Sequence, residues 1–141
     1  MKFKQFSLQL DEATGGCPVA TLDLDTNVKN RQHAIDEYMY GPANPNVPGD
    51  HWNKLAKVWG ISVNNAKTMT CGNCAAFDIS DKMRGCIAKG MAGKENNADT
   101  MATAEKADLG YCNVLHFKCA GTRSCMLWLT DGPVDNKDRT K

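Results

Sequence analysis

Six of the seven cysteines in this chain lie between Cys71 and Cys125, and only Cys17 stands apart. That clustering limits the fold more than any other feature. Six small, reactive side chains in one stretch converge either as metal ligands, as disulfides or as a thiol-lined core. The total is odd, which argues against a complete disulfide framework. The chain has 141 residues and a mean hydropathy of −0.47, so its larger apolar side chains are sparse. A domain of this size has little core to spare, and a cross-link or bound metal gains importance. The first 16 residues lack the unbroken apolar run of a secretory signal, and no later stretch has the ~20 apolar residues of a membrane span. These features lead us to expect a soluble protein made in a reducing cytosol, where clustered cysteines read first as metal ligands.

The net charge is +1 and the pI about 7.6, giving no electrostatic footprint for nucleic acid or membrane. We expect one domain over 1–141: an irregular segment over 1–25, a helical half over 26–70, a cysteine half over 71–130 and a solvated tail over 131–141. Thr26 is a helix N-cap candidate, with Val28, Ile35, Tyr38 and Met39 turned to one side and Gly41-Pro42 as the stop. Asp50 caps a second helix, in which Trp52, Leu55, Ala56 and Trp59 follow an i, i+3, i+4, i+7 stripe ended by Gly60. Ser62 caps a third, running to about Thr70 and delivering the chain into Cys71. Beyond Cys71 the periodicity fades among glycines, with a short helix over Ala102–Ala107. The fold class is thus mostly α with a loop-rich cysteine half, built around one metal cluster.

The strongest local motif is CGNC, Cys71 to Cys74. Two thiolates separated by two residues reach one centre from a single turn, and the small Gly72 and Asn73 let backbone amides point at sulfur. A redox dithiol of the same spacing follows a strand in a βαβ unit, whereas here a helix precedes it. Structural zinc favours two short knuckles, and no second C-x-x-C exists: the later gaps hold 11, 25, 6 and 5 residues. His116 is the residue that would complete a mixed zinc site. A cubane spreads four corners over several loops and fits irregular spacing better. Phe77, Tyr111, Phe117 and Trp128 flank the cysteines as candidate shielding walls, a role compatible with ordinary core packing.

CGNC with Phe77 three residues on, then Gly85-Cys86, then Gly110-Tyr111-Cys112, resembles the high-potential iron–sulfur proteins. The resemblance implies one [4Fe-4S] cluster on Cys71, Cys74, Cys86 and Cys112. Cys119 and Cys125 are extra to that pattern, as alternates for two of those ligands, as a disulfide pair or as buried thiols, and Cys17 reads as a structural cysteine. It departs from that family in the long loop from Cys86 to Cys112, in the extra cysteines and in the missing export signal. The whole chain, with CPVAT, YGPANP, CGNC and FKC…RSC…W, also resembles small proteins of marine tailed phages of the myovirus type, which implies synthesis in a host cytoplasm and a place in the virion. The expected function is one-electron transfer to a redox partner, without enzymatic activity. A dry site opposes the most highly charged state of a cluster, because desolvation cost rises steeply with charge. The alternative is an iron–sulfur or zinc staple among virion proteins. Leu55 to Met69 superficially resembles a helix-turn-helix, but Lys67 is the only charge on its second helix, too few for a DNA reader.

Overall fold

A computed structural model describes residues 16–92 and 98–136. These form a small single domain, about half helical, with a three-stranded sheet and connecting loops. In chain order the helices are α1 (Val19–Leu22), α2 (Leu24–Tyr38), α3 (His51–Trp59), α4 (Val63–Ala66), α5 (Asp81–Ala92) and α6 (Ala98–Lys106). The strands are β1 (Phe77–Asp78), β2 (Leu109–Cys112) and β3 (Phe117–Ala120), and a 3₁₀ turn spans Cys71–Asn73. No described helix is long and apolar enough to cross a membrane.

The N-cap of α2 is Asp23 rather than Thr26: its carboxylate accepts both the amide and the hydroxyl of Thr26. The helix begins three residues earlier than Thr26 suggests, because Asp is the stronger acceptor for an orphan N–H. Ile35, Tyr38 and Met39 pack against the core as their spacing suggests, but Val28 is exposed and the buried positions of the helix are Asn27 and Ala34. The reason lies in β3, an edge strand with unpaired backbone groups. The Lys118 amide donates to Asn27 Oδ1 at 2.7 Å, and Asn30 Nδ2 donates to the His116 carbonyl at 2.6 Å. Two asparagines therefore cover an edge that would otherwise stay open.

Helix α3 follows its sequence pattern. Trp52, Leu55 and Ala56 are buried, Gly60 closes the helix in the left-handed region at φ +70°, and Ala66 of α4 packs against it. Ser62 does cap α4, accepting from the Asn65 amide at 3.1 Å. That helix is only four residues long, so it falls well short of Thr70, and the pair offers no full-length second helix for a DNA groove.

The larger departure is downstream. Residues 81–92 form a regular helix, α5, where glycine-punctuated turns were expected. Met83, Cys86, Ile87 and Gly90 recur at i, i+3, i+4 and i+7, and the first three are buried. Gly90 allows the helix to meet α1, since a Cβ there would overlap the Thr21 carbonyl. Helix α6 reaches farther toward the N-terminus than Ala102, to Ala98.

The sheet runs β1-β2-β3, all antiparallel, with Phe77 opposite Cys112, Cys112 opposite Phe117 and Gly110 opposite Cys119. Residues directly across a ladder share a face, and faces alternate along each strand. One face thus carries Phe77, Cys112, Phe117, Gly110 and Cys119. The other carries Leu109 and Tyr111, which pack with Cys17, Ala20, Met83, Cys86 and Ile87. The expected tail is partly structural: Val134 is buried and exchanges backbone bonds with Phe77 (2.7 Å) and Ile79 (2.8 Å). Residues 1–15 of the irregular segment, 93–97 and the last five of the tail lie outside the described residues.

Candidate functional site

Five free cysteines, Cys71, Cys74, Cys112, Cys119 and Cys125, line one cavity together with Ala76, Phe77, Val114, Leu115 and Leu127. They arrive from four places in the chain. Cys71 and Cys74 stand at the two ends of the 3₁₀ turn. Its geometry is fixed by Thr70 and Asn73: the Thr70 amide donates to Asn73 Oδ1 at 3.1 Å, and Asn73 Nδ2 donates to the Thr68 carbonyl at 2.6 Å. Cys112 ends β2, and Cys119 lies within β3 facing the same way. Cys125 follows Ser124, a fully buried residue whose backbone exchanges bonds with Gly41 at 2.7 and 3.0 Å and whose hydroxyl donates to the Met69 carbonyl.

Main-chain amides converge on three of the sulfurs. The Leu129 amide donates to Cys74 Sγ at 3.4 Å and the Leu115 amide to Cys112 Sγ at 3.3 Å. The amides of Ala76 and Phe77 also point at Cys74, that of Val114 at Cys112 and that of Leu127 at Cys125. Except for Leu129, these donors lie two or three residues after the cysteine they serve, so the chain folds back over each sulfur. The Gly72 and Asn73 amides do not take this role. They donate to the carbonyls of Gly121 and Thr70 instead.

The cavity leaves about 20 Å³ for the centres of water-sized guests, more than the ~10–15 Å³ that one water needs. Its wall exposes no polar surface, so a water inside would find sulfur and hydrocarbon but few good partners. Burial pushes the Cys112 thiol up to about 12, and raises Cys74, Cys119 and Cys125 for the same first reason. Neighbouring thiols oppose ionisation further. Burial thus favours the neutral form of Cys74, Cys112, Cys119 and Cys125, and a cationic guest is what would turn such sulfurs into thiolates. Among the described residues, no three His, Cys, Asp or Glu side chains are arranged to hold a single metal ion.

Two expected residues stand elsewhere. Cys86 is joined to Cys17 by a disulfide, with Cα atoms 5.5 Å apart, on the opposite face of the sheet. Its sulfur is bonded and has no thiolate to give the hollow. The i, i+3, i+4 stripe of α5 was the signal that could have placed it there. Tyr111 faces the disulfide as well, because strand alternation turns it away from Cys112.

The other flanking aromatics belong to the same core cluster as the hollow's cysteines. Phe77 lines it directly. Phe117 is buried in the same core cluster and meets Tyr40 edge to face, with ring centroids 4.8 Å apart. Trp128 buttresses the CGNC turn, its indole N–H shared at 2.9 Å between the Thr70 carbonyl and Asn73 Oδ1. Gly110 leaves room for Phe77, since a Cβ there would overlap the ring. His116 does not line the hollow, and its carbonyl is held by Asn30. No known family, curated protein or solved structure matches the chain.

Proposed function

We propose that this chain binds one [4Fe-4S] cluster through Cys71, Cys74, Cys112 and Cys125 and serves as a one-electron carrier of the high-potential type. The observation that carries this reading is the five-thiol hollow, apolar and walled by hydrocarbon, with main-chain amides aimed at its sulfurs. Soft thiolate donors suit iron–sulfur clusters, and amide hydrogen bonds to sulfur are a lever by which a protein tunes their potential. Cys125 takes the place first expected of Cys86, which its disulfide occupies. Cys119 is set aside from the four because it lies inside a regular strand, paired with Gly110, where the following chain cannot fold over its sulfur.

When bound, such a cluster supplies one electron at a time and carries negative charge. The residues of this chain then select which charge states are tolerated. Phe77, Leu115 and Leu127 withhold water from the hollow, and a low-dielectric site penalises the more negative state most. The amides at Cys74, Cys112 and Cys125 moderate that penalty.

The test is anaerobic purification followed by iron and acid-labile sulfide analysis, with electron paramagnetic resonance before and after oxidation. We expect equimolar iron and sulfide, and a paramagnetic signal that grows on oxidation. Zinc without sulfide would replace the reading with a structural metal site. A cluster without a reversible couple, in a chain recovered with purified phage particles, would make it a virion staple.

A further inference from the structure

One of the amides aimed at the hollow's sulfurs comes from far along the chain. The Leu115 amide reaches Cys112 Sγ from three residues on, so its own turn holds it in place. The Leu129 amide reaches Cys74 Sγ at 3.4 Å across a sequence separation of 55, and no local turn can fix that approach. Two contacts flank it. The Ala75 amide donates to the Leu129 carbonyl at 2.8 Å. One residue earlier, the Trp128 indole N–H is shared at 2.9 Å between the Thr70 carbonyl and Asn73 Oδ1. That oxygen belongs to the frame of the CGNC turn. It also accepts the Thr70 amide at 3.1 Å, while Asn73 Nδ2 donates to the Thr68 carbonyl at 2.6 Å. A single indole donor thus fastens the turn that presents Cys74 to the segment that carries its distant amide. Trp128 does not itself line the hollow.

We propose that Trp128 is a positioning residue, whose indole N–H keeps the Leu129 amide on the Cys74 sulfur and so raises the reduction potential of the bound cluster. This role rests on the cluster reading. Its physical basis is the polarity of the N–H bond. The hydrogen places partial positive charge beside a sulfur whose negative charge grows when the cluster gains an electron. The reduced state is therefore stabilised more than the oxidised one, and more strongly in an apolar site than in water. Without the indole donor, the segment keeps its Ala75 bond but loses its hold on the turn, and the Leu129 amide leaves the sulfur for part of the time. Cys112 keeps its local donor, so the effect falls on Cys74 and shifts the potential without emptying the site.

The experiment compares the full chain with Trp128→Phe, which keeps an aromatic ring but has no donor. Two quantities are read: the reduction potential of the loaded chains by mediated titration, and amide hydrogen exchange of the metal-free chains, residue by residue. We expect the variant to hold the same iron at a lower potential. Its Leu129 amide should exchange several-fold faster, with Leu115 unchanged as the internal reference. An unaltered potential at equal iron content overturns the proposal, and so does a Leu129 amide that exchanges no faster. Should Trp128→Phe take up no iron, Asn73→Ala carries the potential readout. It removes one of the indole's two acceptors, and a potential that does not fall in that variant sinks the proposal. If instead the unaltered chain never takes up iron and sulfide, the cluster reading falls. Exchange at Leu129 in the metal-free chains then still decides whether the indole holds that amide.

Discussion

A thiol in a dry hollow holds its proton, and this makes the site sensitive to alkali in one state and not in the other. Cys74, Cys112, Cys119 and Cys125 are all raised above the ordinary thiol value of 9.0, Cys112 to about 12, with burial as the leading cause. In the metal-free chain the folded state therefore binds more protons than the unfolded one at alkaline pH. Stability is full below about pH 9 and falls as pH rises toward the raised values. Urea denaturation of the metal-free protein at a series of pH values should show a midpoint that drops above that point. The cluster-loaded protein, whose ligands are already thiolates, should show a shallower drop.

At the same scale, Cys125→Ser should abolish iron incorporation. Cys86→Ser should retain it while losing about 2–5 kcal/mol of stability with its disulfide, read by denaturation with and without reductant. The CGNC pair was legible because two cysteines at that spacing leave few alternatives. Cys86 and Cys125 were not separable by spacing alone. What divides them is which face of the sheet each reaches, and that depends on a helix and a turn distant in sequence.

Among the elements, α5 shows why glycine misleads. Gly85 and Gly90 read as turn punctuation, yet both lie inside one helix and do opposite things. Nothing lies within 4 Å of a Cβ placed on Gly85, whereas one on Gly90 would overlap the backbone of Thr21. Gly85→Ala should therefore stabilise the protein by about 0.5–1 kcal/mol through better helix propensity. Gly90→Ala should destabilise it by about 1–3 kcal/mol, because α1 and α5 must separate. Thermal denaturation of the two variants side by side checks both signs. The stripe Met83, Cys86, Ile87 was there to be read through the glycines, and it predicts the face that the disulfide occupies. Helix α2 misleads in the other direction. Its buried surface includes Asn27, whose contribution comes from satisfying an edge-strand amide rather than from apolar area, so hydrophobic periodicity cannot see it.

For the whole molecule, the sheet is a partition. Its one face closes over five free thiols and its other over a disulfide, so a single thin layer separates two sulfur chemistries. The sequence alone determined that Trp52, Leu55, Ala56 and Trp59 would form an amphipathic helix, and that Cys71 and Cys74 would be presented from one turn. Those properties are local: they depend on residue type and on spacing within a few turns of chain. Only the tertiary structure decided which cysteines share a hollow. Cys17 meets Cys86 across a sequence separation of 69, and Cys74 is served by the amide of Leu129, 55 residues away. Long-range pairings of that kind are selected by the packing of α1 against α5 and by the register of β2 with β3, and neither is encoded in the spacing of the cysteines themselves.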